Sequence, residues 1–554
     1  GQRPPEGYVK INSNSRSFDG MYALPQHAHE FGALTTRFSW EGFGRAGRAL
    51  RGIYNFQARA KSTLLFTSLF HHQAFMRSYF YSVPNAMDQV GDIYPIARAS
   101  FQSLYNPQAA NQTLLKSKAA RQGWDAIMSF HPDVDILVAN GLTLSMGLSY
   151  SLKAEYDQEW RRTFVESMAG KVSPRAGEFL ANKRVASSNF LFGKMGTSLK
   201  AQAALLEYRH MLHQNKDAIS KGEITPNQIA AIVAEKTNDD FGGLNLRRGN
   251  QIIGGARRPG AQLLMRTFFL APDWTESNFN TMWKAFGIIP RTGDKEERSA
   301  IGQAQYEKQR ELQSRAYMTM YAQAMVRSQA ITLAFNALMA GLDDEETLVS
   351  LYGRSLGTAF EDAALGVIPK DFNFLKADIT LMQEWFDEMM GAPGSAKHAG
   401  SRVYFNVLGH FLDPANWVSA AMNRDLTAPV KGKMGPFARA IAALVTGEDW
   451  RGMSYTSPSE MFVEDPEALG GWRMQLSKWE FGSTGSKAQG LPSMVIDQVT
   501  NNLPIFAQSG FRLAVGEDSA FDFLSDFFGF HTTRDYDRPA GGSSARGDFV
   551  MGKL

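Results

Sequence analysis

Cysteine is absent from this chain of 554 residues. Without thiols the chain can form no disulfide framework, no thiolate metal site and no cysteine nucleophile. The absence of cysteine is compatible with a reducing cytosol. It also suits a protein that passes from reducing to oxidising surroundings without forming wrong disulfides.

The chain also has little net charge. Lys and Arg number 58 against 55 for Asp and Glu, and the resulting charge of +3 is too small to indicate a nucleic-acid partner by itself. Hydrophobic residues make up 44% of the chain and charged residues 20%, which excludes wholesale disorder, a collagen and a polytopic membrane protein. The length exceeds the roughly 100 to 200 residues of one domain, which indicates several cores or one large irregular assembly.

The charges are unevenly distributed along the chain. Residues 1–130 contain 14 basic and 7 acidic side chains, residues 241–270 contain five Arg and no acid, and residues 340–425 contain 6 basic and 13 acidic side chains. This segmentation suits contact with a polyanion in one region and with basic partners in another. Unevenly solvated faces would explain it equally well.

Strand signals are few and short, whereas apolar residues at spacings of three and four recur over long stretches. The predicted fold class is therefore mainly α, an extended multi-helix assembly with long irregular Gly-rich connections and few strands. We expect four regions: an extended N-terminal arm (1–60), a helical region with a basic Gly-rich loop (61–290), a long-helix region with an acidic segment (291–430), and an irregular C-terminal region and tail (431–554).

Several helix boundaries are predicted from local signals. A helix that starts near residue 58 should end before Pro84, and Thr225 should cap a helix that has Pro226 in its first position. Asp273 should cap another helix, with Glu276 three residues later completing a capping box. Residues 135–152 carry no charge after Asp135, which favours a buried helix or a pair of helices over a membrane span.

The longest periodic segment covers about residues 300–342. Its last 27 residues, 316–342, carry only Arg327 as a charge, but they also contain Gln, Ser, Thr and Asn side chains that are unfavourable in lipid. A helix buried in protein is therefore preferred over membrane insertion. The candidate residues for helix packing or membrane contact are Met318, Met325, Leu333, Phe335 and Leu338.

Catalytic and metal-binding motifs are weak. Residues 42–47 match GxGxxG and residues 353–357 match GxSxG, but neither follows the buried strand that its function requires. The pairs His27 with His29 and His71 with His72 lack a third ligand at a recognisable spacing. We therefore expect these histidines to be polar loop residues and core residues and not metal ligands. We therefore assign no catalytic residue, no metal site and no cofactor.

The best chemical surface in the sequence is the Gly-rich stretch that follows residue 241. Guanidinium groups on a flexible glycine backbone can follow a phosphate chain, which predicts salt-dependent binding without sequence preference. A loop packed against the acidic segment of the same chain is an equal alternative. The candidate nucleic-acid-binding residues are Arg247, Arg248, Arg257, Arg258 and Arg266, together with Arg45, Arg48 and Arg51 of the arm, which lie among aromatic residues.

Two segments carry a resemblance to a known family. They are KSTLLFTSLFHH at residues 61–72, preceded by PQHAHE at residues 25–30, and FLAPDWT at residues 269–275, followed by a predicted helix. Over about residues 20–345 the chain resembles the C-terminal helical region of bacteriophage large polyvalent proteins. That family includes giant virion proteins that are ejected with the genome, among them virion RNA polymerases.

The resemblance implies an α-helical module carried in the virion interior and delivered with DNA to the host cell envelope, at the periplasm or inner membrane. The implied function is that of a non-catalytic ejection protein that helps to form or line a conduit for the genome. Its implied partners are double-stranded DNA without sequence preference, other virion or ejection proteins, the portal, further copies of the chain and the host membrane.

Two alternatives remain open at this point. The chain would be the C-terminal packaging or scaffold part of a larger virion enzyme, such as a virion RNA polymerase, if its reading frame is much longer. Alternatively, it would be a membrane-active binding protein that uses residues 316–342.

Overall fold

The computed structural model describes residues 9–10, 22–23, 69–85, 87–144, 164–242, 272–287, 302–340, 376–389, 401–412, 417, 525 and 532–536. Within these residues the fold is mainly α, which confirms the predicted class. The helices are α1 (Phe70–Ser82), α2 (Val90–Ser103), α3 (Pro107–Leu114), α4 (Lys118–Met128), α5 (Pro132–Ala139), α6 (Phe164–Val172), α7 (Pro174–Ser188), α8 (Gly196–Gln214), α9 (Lys216–Ser220), α10 (Pro226–Asp240), α11 (Pro272–Ala285), α12 (Gln303–Ala340) and α13 (Thr380–Met389). A π-helical segment, Asn189–Met195, joins α7 to α8.

Five short strands form two antiparallel sheets in the part of the chain that the structure describes. Strands β1 (Val9–Lys10) and β2 (Tyr22–Ala23) form a two-residue ladder in the predicted arm. Strand β4 (Ser401–Phe405) lies between β3 (Ala377–Asp378) and β5 (Thr532–Tyr536), with Val403 opposite Arg534. The second sheet therefore joins segments that are more than 120 residues apart in sequence.

The predicted start of α10 is confirmed. Thr225 is the N-cap, Pro226 occupies the first position, and the Thr225 hydroxyl accepts a hydrogen bond from the backbone amide of Gln228 at 3.2 Å. The Gln228 side chain in turn accepts the Thr225 amide at 2.8 Å, which completes a capping box. Two backbone donors at this helix end are thereby satisfied.

One other predicted boundary differs from the structure, and one helix end was not predicted. Helix α11 begins at Pro272, so Asp273 lies in its first turn and not at the N-cap position expected for it. Within residues 135–152, where we expect a buried helix or a pair of helices, α5 ends at Ala139, because Gly141 adopts a φ of 106° and the Leu142 amide bonds back to the Leu137 carbonyl at 2.9 Å. Residues 145–152 lie outside the described residues.

Two further helix predictions agree with the structure. Helix α1 ends two residues before Pro84, although the predicted beginning of that helix near residue 58 lies outside the described residues. Helix α12 spans 38 residues and is the longest of the described helices, as the periodic segment predicts.

Of the four apolar cores among the described residues, one packs α12 against β3 and β4, and three surround the central helices. The first joins α1, α2, α4 and α8 around Phe75, Ile96 and Leu199. The second joins α5, α8, α10 and α12 around Leu137, Tyr208, Val233 and Leu312. The third joins α1 and α12 to the 3-10 turn Gly409–Leu412 through Tyr81, Tyr317 and Phe411. Helices on both sides of residue 290, the boundary between two predicted regions, thus share cores.

Helices α4 and α8 cross at very short range. A Cβ atom placed on Gly123 would overlap the Ser198 carbonyl oxygen. Glycine at this position therefore sets how closely the two backbones approach, and with it the position of α8.

Candidate functional site

A cluster of charged side chains is buried where α8, α10, α11 and α12 meet. Four of its members belong to the last two turns of α10, two to α8 and one to α11. The members of this buried charged cluster are Glu235, Lys236, Asp239 and Asp240, Lys200 and Glu207, and Lys284. Because isolated charges are very costly to bury, the stability and the protonation states of the cluster depend on how its members are paired.

Lys284 is the centre of one half of the cluster. Its ammonium donates to Asp239 Oδ2 at 2.5 Å, to Glu235 Oε1 at 2.6 Å and to the Tyr317 hydroxyl at 3.2 Å, so all three of its protons are used. Burial acts to lower the pKa of Lys284, but Asp239 and Glu235 outweigh it and raise that pKa. Lys284 therefore stays charged.

The carboxylates around Lys284 have partners from a third helix. The Tyr317 hydroxyl of α12 donates to Asp239 Oδ2 at 2.6 Å, and Gln313 Nε2 donates to Glu235 Oε2 at 2.8 Å. Burial raises the pKa of Asp239 against the opposing effect of Lys284. The Ser277 hydroxyl of α11 donates to the backbone carbonyl of Asp239. These contacts fix α10, α11 and α12 relative to one another.

The other half of the cluster lies between α10 and α8. Lys236 pairs with Glu207 at 3.1 Å, and Lys200 donates to the Thr143 hydroxyl at 3.2 Å. Burial lowers the pKa of Lys200 to about 7, although Asp239 and Asp240 oppose the shift. Lys200 is therefore poised between its charged and neutral forms near neutral pH.

Asp240 is the least compensated member. Its side chain is 2% exposed, and neither carboxylate oxygen accepts a hydrogen bond of normal geometry from a described residue. The Ser78 hydroxyl of α1 instead donates to the Asp240 backbone carbonyl at 2.8 Å. Burial raises the pKa of the Asp240 carboxyl to about 7, with Lys236 opposing the shift.

A carboxyl and a lysine that both titrate near pH 7 are also found at acid–base sites. In this cluster the two groups are enclosed by core helices, and at 2% and 0% exposure they offer no surface to a substrate. The buried charged cluster therefore fixes the positions of the helices and makes the stability of the fold depend on pH.

A second charged side chain, Arg327 of α12, binds the end of α1. Its guanidinium donates to the carbonyls of Phe80, Tyr81 and Pro84 at 2.8, 2.9 and 3.0 Å. The carbonyls of Phe80 and Tyr81 lie in the last turn of α1, where they have no partner within the helix, and the Pro84 carbonyl lies two residues beyond that end. A cation at this position is also favoured by the helix dipole. The only charge between residues 316 and 342 thus has a packing role.

The sequence-predicted nucleic-acid residues lie outside the described part of the chain, in both the arm and the Gly-rich stretch. Of the candidates on α12, Met325 and Phe335 are partly buried against the cores, whereas Met318 and Leu333 are exposed. The side chain of Leu338 is outside the described residues. Among the described helices, none has the length and apolar character needed to cross a bilayer.

His71 and His72 are core residues of α1. Burial lowers their pKa values to about 4 and about 3, and His72 Nε2 lies 3.1 Å from the Ser103 hydroxyl. Within the described residues, no group of His, Asp and Glu side chains has the arrangement of a metal site. Sequence reasoning missed the buried charged cluster, because the stretch from Glu235 to Asp240 has the composition of a solvated helix end.

Comparison with protein-family models, with curated proteins and with solved structures returns no match.

Proposed function

We propose that the chain is an internal virion protein of a bacteriophage that is ejected with the genome and helps to form or line a conduit for DNA across the host cell envelope. The proposal rests first on the resemblance of residues 61–72 and 269–275 to large polyvalent phage proteins. It assigns the chain a structural role and no catalytic step.

One structural observation supports treating the two resembling segments as parts of one module. The first segment leads into α1 and the second contains the start of α11, and both helices pack against α10. Ser78 of α1 bonds the carbonyl of Asp240, and Ser277 of α11 bonds the carbonyl of Asp239. The helices that continue the two segments, about 200 residues apart in sequence, therefore contact consecutive residues of one helix.

The buried charged cluster suits such a role. A buried ion-pair network contributes less net stability than a well-packed apolar core of the same volume, while it still selects one arrangement of helices. A protein that must pass through a portal and then reassemble would benefit from both properties.

The composition of the phage particle tests this proposal. Quantitative mass spectrometry of purified particles should find the chain in intact virions, protected from added protease, and should find it depleted from particles triggered to release their DNA. The major capsid protein, which stays with the emptied particle, is the internal control. Absence of the chain from intact virions would contradict the proposal.

A further inference from the structure

Exposed aromatic and basic side chains alternate along α2. Tyr94, Arg98 and Phe101 follow one another at spacings of four and three, which places them on one face of the helix, and all three are exposed. Tyr105, in the turn after α2, lies with its ring 5.9 Å from that of Phe101. Tyr94 is 70% exposed and Tyr105 is 56% exposed, so both side chains lie largely in solvent.

A second stripe of the same kind runs along α7. Arg175, Phe179 and Lys183 are spaced by four residues, and Phe179 is 60% exposed. The Lys183 ammonium lies 5.6 Å from the centre of the Phe179 ring and donates to the Tyr105 carbonyl at 2.7 Å. The two stripes are therefore joined, and we call the joined surface the basic aromatic face.

The two segments that carry the basic aromatic face are rich in basic side chains. Residues 93–124 contain four basic side chains and no acid, and residues 167–206 contain six basic side chains and one acid, Glu178. Two of these ten cations are not available, because Lys200 is buried and Arg184 pairs with the buried Glu166 at 2.6 Å. The eight that reach solvent are Arg98, Lys116, Lys118, Arg121, Lys171, Arg175, Lys183 and Lys194.

Both segments belong to one packed unit. Ile96 of α2 and Leu114 of α3 share a core with Phe190 and Leu191 of the π-helical segment. The Lys194 ammonium also lies 4.9 Å from the centre of the Trp124 ring. The cations of the two segments therefore lie on helices that share one core.

We propose that the basic aromatic face binds single-stranded nucleic acid. Cations attract the phosphate chain, and exposed rings between them offer platforms on which unpaired bases stack. A duplex keeps its base faces stacked inside, so it would use the cations and leave the rings without a role. The alternation of ring and cation along each stripe also differs from an interfacial membrane helix, in which an apolar face lies opposite the charged one.

This proposal is independent of the proposed function, because it concerns different residues and needs no virion. It adds a ligand class to the double-stranded DNA expected for the Gly-rich stretch. Unpaired bases expose aromatic ring faces in both DNA and RNA, so the test includes both nucleic acids.

The test measures binding of the full chain to fluorescein-labelled oligothymidylate and oligouridylate of 20 nucleotides by fluorescence anisotropy. The double variant Tyr105→Ala with Phe179→Ala should bind at least one of the two oligonucleotides about tenfold or more weakly than wild type, since each lost stacking platform weakens binding several-fold. Phe286→Ala, which removes an aromatic side chain that is 72% exposed elsewhere, is the matched control and should bind as wild type does.

A second pair of substitutions tests the cations. Arg98→Gln with Arg175→Gln should reduce the slope of log K against log salt concentration by about 1.4, since each phosphate contact to a single strand contributes about 0.7. Far-UV circular dichroism identical to wild type shows that each variant is folded.

Three results would overturn the proposal. They are an unchanged affinity of the double aromatic variant for both oligonucleotides, an equal loss of affinity for a 20-base-pair duplex, and an equal loss of binding to vesicles of anionic phospholipid. The last two would assign the basic aromatic face to a duplex or to a membrane surface.

Discussion

Asp240 carries a charge that the core does not fully compensate, and this determines how its contribution to stability depends on pH. In the unfolded chain its carboxyl titrates near pH 3.9, whereas burial raises the pKa in the folded chain to about 7. Between these values the folded state binds more protons than the unfolded state. The contribution of Asp240 to stability therefore falls as the pH rises from about 4 to about 7.

Asp240→Asn removes this penalty. Relative to wild type, the variant should gain free energy of unfolding as the pH rises, reaching on the order of 2–4 kcal/mol at pH 8 and little at pH 4.5. Urea unfolding followed by tryptophan fluorescence at pH 4.5, 6 and 8 measures the difference. A difference that stays constant over this range would contradict the assignment.

The comparison with wild type is needed because two buried histidines act in the opposite direction. Burial lowers the pKa values of His71 and His72 to about 4 and about 3, below the ordinary value of 6.5. Their contribution to stability is present above about pH 6.5 and is lost as the pH falls through their folded pKa values. Since the variant keeps both histidines, their effect cancels in the difference.

Lys284 neutralises two buried carboxylates, so its replacement should strongly destabilise the fold. Lys284→Met leaves Asp239 and Glu235 buried without their cation, and it should cost about 3–5 kcal/mol of the free energy of unfolding at pH 7. Lys308→Met breaks the exposed pair with Glu311 and should cost less than about 1 kcal/mol. Equal losses in the two variants, measured by urea unfolding, would show that the buried pair has no special role.

Among the elements, α1 depends on a side chain that comes from α12. Arg327→Met removes two hydrogen bonds to the C-terminal carbonyls of α1 and one to the Pro84 carbonyl just beyond it, and should destabilise that helix end by about 2–3 kcal/mol. Hydrogen exchange at the amides of the last turn of α1 should become faster by about 30-fold or more, by conversion of that free energy.

Arg315→Met is the control for this prediction, because Arg315 lies on the same helix but is exposed. It should leave exchange in α1 unchanged. If both variants accelerate exchange equally, Arg327 acts through the general stability of α12 and not through its contacts with the carbonyls.

The elements also show what the sequence could and could not predict. The start of α10 was predictable because Thr225, Pro226 and Gln228 act on each other within four residues. The end of α5 was missed because a Gly at positive φ stopped a stretch whose composition favoured helix.

The buried charged cluster was not predictable for a different reason. The partners of Asp239 are Lys284 and Tyr317, which are 45 and 78 positions away. No periodicity within α10 encodes such distant pairs, so its charged last turns resemble a solvated surface. The weak signal was the run of polar residues with Val233 before it and Phe241 after it, both of which are buried.

At the scale of the whole molecule, a chain of nearly neutral net charge carries two regions that we propose to bind nucleic acid. The basic aromatic face lies on the described helices, and the Gly-rich stretch contributes five further Arg residues without an acid. Their proposed ligands differ, since we propose single strands for the basic aromatic face and duplex DNA for the Gly-rich stretch. The two surfaces can therefore be separated by mutation.

Replacing Arg247, Arg248, Arg257 and Arg258 with Ala should weaken binding to duplex DNA of any sequence. The slope of log K against log salt concentration should become shallower by about 3 to 4, at about 0.9 for each phosphate contact. Fluorescence anisotropy with two unrelated 30-base-pair duplexes measures both the slope and the lack of sequence preference. An unchanged slope would contradict a role of this stretch in DNA binding.

The central claim is that the chain leaves the virion with the genome and enters the host envelope. The most direct measurement follows an epitope-tagged copy through synchronous infection, with fractionation of host cells while new protein synthesis is blocked. The tagged chain should move from the particles to the envelope fraction as the genome enters. Retention of the tagged chain in the emptied particles would contradict it.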